Sequence, residues 1–363
     1  MKLSERGGCP VCGFGSHGVG TVKVLCRPPG TEHDLCCCPG CGLVFSDTPL
    51  PQSQYNKMYA GRLSYAEPTP EWDVGRLTGV AATVAPHAGD GRVLDVGCGS
   101  GGLEAVLRKA GVKALGMDTR ECALATLAHD PAVVGSLFDV RNVPGRFEVV
   151  VLSHVLEHVR DLRKGLLAAK DLLTPDGVVY VEVPDVMRYA ECFDGPYQQC
   201  NEEHIQHFSK TTLAALMAMC DLEMVESGQR EYMSPPPFKA ASTWIVARPC
   251  QPRFGIMRCR DSQAGMLAYL ERSVMEWERV KAKVAAVKGP AIVWGRGQLF
   301  RKLYPLIKDK VSFVVDAKSQ ECDGPSAIGN SDLPIIVASI LHEREIVADI
   351  KRLGLPNEVV TLS

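Results

Sequence analysis

The stretch Val93-Leu94-Asp95-Val96-Gly97-Cys98-Gly99-Ser100-Gly101-Gly102 constrains this chain more than any other. It reads as a buried strand that runs straight into a glycine turn and then a helix. Glycines let the backbone pass close under a ligand, and the N-terminal N–H groups of the following helix point at it. That arrangement calls for an α/β sheet holding a nucleotide-like cofactor. Two patterns fit the same residues: Gly97, Gly99 and Gly102 satisfy GxGxxG, while Asp95, Gly97, Gly99 and Gly101 satisfy DxGxGxG.

The surrounding sequence supplies the alternation that such a sheet needs. Strands are expected at 92–96, 114–117, 133–137, 147–152 and 178–183, with helices at 103–110 and 162–173 and a turn at Thr174-Pro175-Asp176-Gly177. This is a parallel sheet with crossover helices. After Ser209 a helix (210–220) precedes two strand-like runs, 223–226 and 241–247, with no long crossover between them. They imply a hairpin that makes one edge strand antiparallel. A helix at 264–287, strands at 291–294 and 312–315, and Gly295-Arg296-Gly297 between them read as a second, smaller α/β unit. Its glycines either hold a nucleotide or only permit a tight βα turn. A chain of 363 residues is expected to hold two or three domains. We divide it into a metal-binding module (1–50), a helical linker (51–90), the main α/β domain (91–250) and the smaller one (251–363).

Cysteine usage sets the character of the first segment. Seven of the 15 cysteines lie in the first 41 residues, and the others are scattered through core-like segments. Cys9-Pro10-Val11-Cys12 and Cys38-Pro39-Gly40-Cys41 form two Cys-x-x-Cys turns, each aiming two thiolates at one point. Together they make a tetrahedral Zn²⁺ site. Cys36 and Cys37 blur the register, but only Cys38 gives the right spacing to Cys41. A redox role for a single pair is the competing reading, and His17 and His33 are read as loop residues. Reduced thiols with one local metal site suit a cytoplasmic chain better than a secreted disulfide scaffold. Residues 1–8 lack the apolar core of a secretory signal, and no apolar run is long enough to span a bilayer. A formal net charge of −2 gives no drive toward nucleic acid or anionic membrane.

The cofactor is decided by residues around the glycine turn. Asp118, ending the second strand, can accept both ribose hydroxyls of NAD or of S-adenosylmethionine. Asp95 inside the first strand would repel a pyrophosphate but suits a cofactor ammonium group. Phe138 and Asp139, ending the third strand, are placed to stack on and hydrogen-bond an adenine, unless Asp139 only caps a turn. Together Val93–Leu107, Asp118, Asp139 and Ser153-His154-Val155-Leu156-Glu157-His158 resemble class I S-adenosylmethionine-dependent methyltransferases. The resemblance implies that Ser153 and His154 line the methionine end of the cofactor, while Glu157 and His158 line it too or merely pack and cap.

Asn201-Glu202-Glu203-His204-Ile205-Gln206-His207-Phe208-Ser209 follows strand five, over the cofactor in such a sheet. An adjacent carboxylate and imidazole there can accept a proton. The same cluster also reads as a metal site of Glu202, Glu203, His204 and His207, as a loop-ordering and helix-capping segment, or as a solvated turn. The order of all parts resembles the sugar C-methyltransferases, which act on nucleotide-linked keto-deoxysugars. That resemblance implies Glu203 and His204 as active-site residues, with His204 the base that forms an enolate. It also implies a small-molecule acceptor, with no nucleic acid or membrane partner. Two departures stand out: Asn201 replaces a family tyrosine, and Gly295-Arg296-Gly297-Gln298 replaces a lysine-containing turn. The alternatives are methyl transfer to oxygen or nitrogen of another metabolite, rRNA methylation, and a non-catalytic binding protein. Residues 1–50 hold four basic and four acidic side chains, which argues against RNA.

Overall fold

In the computed structural model, which describes residues 2–16, 20–60, 69–119, 132–252, 259–317 and 322–363, the chain divides into two units. The first comprises Met1–Cys26, His33–Tyr189 and Glu202–Met266; the second comprises Arg27–Glu32, Ala190–Asn201 and Leu267–Ser363.

The first unit begins with three short antiparallel strands, β1 (Lys23–Cys26), β2 (Leu35–Cys37) and β3 (Val44–Ser46). Helices α1 (Gln52–Ala60) and α2 (Glu71–Ala88) follow. Then come β4 (Arg92–Val96), α3 (Gly102–Lys109), β5 (Lys113–Asp118) and β6 (Ala132–Val134). Strand β7 (Phe147–Ser153), helix α4 (Leu162–Asp171) and strand β8 (Leu173–Pro184) complete the parallel part. Strand β9 (Gln206–His207) and helix α5 (Lys210–Met219) precede a long hairpin of β10 (Leu222–Met233) and β11 (Lys239–Pro249).

Seven strands pair in the order β10-β11-β8-β7-β4-β5-β6. The central strands are apolar on both faces because helices cover both. Val93, Val149, Val151 and Tyr180 pack with Leu77, Val80, Leu103 and Leu107 on one face. Leu94, Val150, Leu152 and Val181 pack with Leu162, Leu166, Leu213 and Leu216 on the other. From β4 the chain lays down β5 and β6 on one side, then crosses back to put β7 on the other. The carboxyl ends of β4 and β7 therefore flank a topological switch point, where open α/β sheets bind their ligands.

Three details differ from the sequence reading. The third strand, β6, ends at Val134, so Phe138 and Asp139 lie in the loop beyond it and do not end the strand. The antiparallel strand is β11, second from the edge, because it pairs with both β8 and β10. Its side chains explain the order: Ile245, Val246 and Ala247 are fully buried, whereas β10 carries Glu223, Glu226, Arg230 and Glu231 and suits an edge. Residues 174–177 are not a turn between elements but part of β8. Phe147 pairs with Leu173 and Val149 with Val178, so the surplus residues bulge outward, with Pro175 and Asp176 exposed.

The cysteine-rich strands extend into the loop that carries the expected proton acceptors. Strand β9 pairs antiparallel with β3, Val44 opposite His207 and Phe45 opposite Gln206. The four form one sheet, β1-β2-β3-β9.

Helix α6 (Asp261–Ala286) leads into the second unit's β12 (Ala291–Trp294), α7 (Gln298–Ile307), β13 (Val311–Val315), β14 (Ile335–Val337), α8 (Glu343–Arg352) and β15 (Val359–Val360). The four strands are parallel, in the order β13-β12-β14-β15. The Arg296 N–H donates to Asp316 Oδ2 at 2.7 Å, closing the glycine turn after β12. Among the described residues, no helix is long and apolar enough to cross a membrane.

Candidate functional site

The turn after β4 is held by the end of β5. Gly97 and Gly99 have φ of +76° and +56°, left-handed values that side chains rarely adopt. The Gly97 N–H donates to the Met117 carbonyl at 2.7 Å, and the Gly99 N–H donates to Asp118 Oδ2 at 3.0 Å. Gly101, φ +83°, caps α3. At Gly102 an added Cβ would lie 2.3 Å from Thr69 Oγ1 and 2.8 Å from Leu77 Cδ1, so this glycine serves helix packing.

Three carboxyl groups lie buried behind the turn: Asp95 at 5% exposure, Asp118 at 5% and Glu104 at 1%. Burial pushes the Asp95 carboxyl well above its usual range; Glu104 and Asp118 add to this, while Arg76 opposes it. The three carboxyls crowd one another, so a pyrophosphate finds no positive charge here, whereas an ammonium group would relieve the crowding and favour ionised Asp95.

A cavity opens over the switch point. Its walls include Gly97, Asp118, Phe138, His154, Val155, His158 and Tyr59. The structure thus brings Gly97, Asp118, Phe138 and His154 to one cavity. Asp139 is not among its walls. Arg141 grips that carboxylate with two hydrogen bonds of 2.7 Å and holds it down at about 2, at the surface. Ser153 also faces elsewhere: its Oγ accepts from Arg76 at 2.8 Å and donates to Glu182 at 3.1 Å.

At one side of the cavity three imidazoles surround a carboxylate. His154 has φ +56°, a costly backbone for a residue with a side chain. It is held by its N–H to the Glu182 carbonyl (2.9 Å), by Nδ1 against Glu157 Oε1 (3.1 Å) and by Nε2 against the Tyr232 hydroxyl (3.2 Å). His158 Nε2 lies 3.9 Å from Glu157 Oε1, and its Nδ1 lies 2.9 Å from the Tyr59 hydroxyl and 3.0 Å from the Glu203 carbonyl. The His204 ring meets His158 edge-on, with centroids 4.9 Å apart. Burial, then the neighbouring His158, pushes His204 down to about 4, so it is a neutral imidazole at neutral pH. Glu157 is 1% exposed; burial works to raise its carboxyl, but the His154 hydrogen bond and the three imidazoles bring it down to about 2.

Glu203 joins this cluster through its backbone carbonyl. His207 does not join it: fully buried in β9, it faces the Tyr189 hydroxyl at 3.4 Å. Ser209 caps α5, accepting from the Thr212 N–H at 3.3 Å. Asn201 donates to the Gln198 carbonyl at 3.0 Å within the second unit. Of the linker tyrosines, Tyr59 reaches the cavity, while Tyr55 is buried with its hydroxyl on Thr48 at 3.0 Å. Tyr65 lies outside the described residues, as does His17.

Under the site runs a second polar layer that sequence reasoning did not reveal. Glu182 Oε1 in β8 accepts from Arg230 at 2.8 Å and from Ser242 at 2.5 Å, while Oε2 faces Ser153, Tyr180 and Arg76. A carboxylate within the apolar run 178–183 was the one available signal for it.

Cys9, Cys12, Cys38 and Cys41 converge, with all four sulfurs within 4.8 Å of one another. Cys9 and Cys41, and Cys12 and Cys38, are 3.5 Å apart sulfur to sulfur. Zinc–sulfur bonds of about 2.3 Å give a tetrahedron with edges of about 3.8 Å, so the donor set fits that ion. The two knuckles are built alike: Gly13 N–H to Cys9 carbonyl at 2.9 Å, and Gly42 N–H to Cys38 carbonyl at 3.0 Å. Cys36 and Cys37 stand apart as buried thiols, pushed up to about 12 and about 11 by burial.

Residues 75–227 match the profile of a family described as a methyltransferase domain. The ubiquinone biosynthesis O-methyltransferase of Methylococcus capsulatus is 36% identical over 98 residues, covering 24% of this chain and 41% of that protein. Its namesake from Pseudomonas aeruginosa is 32% identical over 99 residues, 25% of this chain and 43% of that one. The chain thus spans about two fifths of the length of these curated relatives. Among solved structures, the Burkholderia thailandensis 1,6-didemethyltoxoflavin-N1-methyltransferase, with S-adenosylhomocysteine bound, is 18% identical and covers 62% of this chain and 100% of its own, with a TM-score of 0.42.

Proposed function

We propose, from the premise that residues 75–227 are a methyltransferase domain of the S-adenosylmethionine-dependent kind, that this protein methylates a small acceptor held beside the imidazole cluster. The observation that carries this reading is the glycine turn tied to Asp118 and backed by buried acidic groups, beside a cavity walled by His154 and His158, with His204 against the His158 ring. The bound donor supplies an electrophilic methyl group. Asp118 would hold its ribose hydroxyls, Asp95 its ammonium end and Phe138 its adenine face. Gly97, Gly99 and Gly101 let the backbone approach it.

The acceptor class we put forward is a nucleotide-linked keto-deoxysugar, methylated on carbon. His204, uncharged at neutral pH, takes the proton beside the ketone, and the resulting carbon nucleophile attacks the methyl group. Alignment of the two reacting atoms and proton removal supply most of the rate. A zinc ion on Cys9, Cys12, Cys38 and Cys41 would be structural and take no part in the chemistry.

Transfer of label from S-adenosylmethionine to a panel of nucleotide-linked 4-keto sugars tests the acceptor directly. His204→Ala is expected to lower kcat by about 10²–10⁴-fold, the usual worth of a positioned base, with donor affinity unchanged. Full turnover in that variant would sink the enolate step. The O-methyltransferase relatives favour a second reading, transfer to an acceptor oxygen. Label appearing on catechols and on no keto sugar would establish it.

The two expected adenosine-binding carboxylates should behave differently. Asp118→Ala loses a charged hydrogen-bond acceptor and the clamp on Gly99, and should weaken donor binding by about 10–100-fold. Asp139→Ala should change it by less than about twofold, because its exposed ion pair with Arg141 contributes little. Calorimetric titration with S-adenosylhomocysteine reads both. Equal losses would mean that Asp139 reaches the ligand after all.

A further inference from the structure

The proposed chemistry gives no task to Glu157, the carboxylate buried among the three imidazoles. We propose that Glu157 is the positioning residue of the imidazole cluster: it fixes the proton position of His154 and offsets the charge when the cluster takes up a proton. The inference rests on the methyltransferase reading only for the origin of that proton.

Geometry carries the argument. Glu157 sits in a short turn, Leu156–His158, which the Ile205 N–H anchors by donating to the Glu157 carbonyl at 2.9 Å. Its Oε1 lies 3.1 Å from His154 Nδ1 and 3.9 Å from His158 Nε2. An ionised carboxylate only accepts, so the ring hydrogen of His154 belongs on Nδ1. Its Nε2 then carries a lone pair and accepts from the Tyr232 hydroxyl at 3.2 Å. His158 is set from its other side: a carbonyl only accepts, so Nδ1 donates to the Glu203 carbonyl at 3.0 Å, to which the Tyr59 hydroxyl also donates at 3.1 Å. One carboxylate thus pins the His154 ring and stands beside the His158 ring. The proton taken by His204 leaves the acceptor carbon and adds a positive charge against the His158 ring, beside Glu157. Glu157 Oε2, buried and without a hydrogen-bond partner, is the oxygen left to meet that charge.

The other groups packed here do not substitute for it. Tyr59 comes from α1, Tyr232 from β10, and Glu203 and His204 from the loop before β9. Arg76 of α2 stands over the Tyr232 ring at 5.6 Å. Glu182 of β8 is already bound to Arg230 and Ser242. Glu157, His158 and His204 also place ligand atoms within 4.8 Å of one another, so cation binding is the rival task for the same carboxylate.

Nitrogen-15 NMR of the imidazoles in the full chain decides between these without needing the acceptor. We expect both His154 and His158 as Nδ1–H tautomers. In Glu157→Gln the His204 titration should fall by about one unit or more, since an opposite charge at this range raises it by that much. Glu157→Asp should restore part of the shift. With an active acceptor, Glu157→Gln should lose at least about tenfold in kcat, and the acid limb of its pH profile should move to lower pH. Its affinity for S-adenosylhomocysteine should stay within about twofold. An unchanged His204 titration in a folded Glu157→Gln protein would overturn the proposal. So would saturable broadening of the His158 and His204 signals by Mn²⁺ that Glu157→Gln abolishes, because Glu157 would then be a ligand. Absence of any methyl transfer would remove the parent reading and leave the tautomer result standing.

Discussion

Glu182→Ala should destabilise the first unit by about 3–5 kcal/mol, the usual loss when one partner of a buried ionic network is removed. Glu182 is 0% exposed and sits in a strand whose other side chains are almost all apolar. Burial would raise its carboxyl, yet His154, Arg76 and Arg230 hold it below its usual range. Deleting it strands the Arg230 guanidinium, 15% exposed, and leaves Arg76, 11% exposed, to its ion pair with Asp73. It also leaves the Ser242, Ser153 and Tyr180 hydroxyls short of an acceptor. Urea unfolding should show a lower midpoint with an unchanged slope. Glu182→Gln, which keeps the shape and loses the charge, should fall between the two. A change below about 1 kcal/mol for the alanine variant would mean that the arginines find water and that the network adds little to stability.

If Cys9, Cys12, Cys38 and Cys41 hold the proposed zinc ion, its removal should have an effect of similar or greater size. Structural zinc sites contribute about 10–16 kcal/mol of apparent binding energy, which here would be folding energy. The strands β1, β2 and β3 hold four, three and three residues, too little to bury a core of their own. We expect one zinc per chain by elemental analysis. Cys41→Ser should reduce that to near zero and expose residues 2–50 to proteolysis. A zinc-stripped protein with an unchanged thermal midpoint would contradict the structural assignment.

Much of this architecture is legible in the sequence because it depends on local signals. Strand–glycine–helix order, the Cys-x-x-Cys spacing and the closing hairpin are set by neighbours in the chain, and each appears near its expected place. The position of β11 was not, because which hairpin strand faces β8 depends on side chains of a distant strand. The bulge in β8 hid behind Pro175 and Gly177, which mark turns in most contexts. Phe138 was legible as a cavity residue, whereas Asp139 next to it was not, since Arg141 two positions on captures its carboxylate. Among the linker tyrosines Tyr55, Tyr59 and Tyr65, all candidates for the site by sequence, nothing local singled out Tyr59. Its partner His158 is 99 residues away, and only the folded chain brings the two hydroxyl and imidazole groups to 2.9 Å.

The pairing of β9 with β3 bears on how the chain is made. Synthesis delivers both cysteine knuckles and the first three strands of the N-terminal sheet early. The fourth strand emerges only after β4 through β8. Until then β3 presents an unpaired edge, so zinc capture can precede completion of this sheet but cannot finish it. The loop bearing Glu203 and His204 gains its ladder partner only when β9 meets β3 across the whole stretch from β4 to β8. Pairing across such a long separation is slow to form, since loop closure must precede any gain from contact. Order at Glu203 and His204 should therefore follow the pairing of β4 through β8.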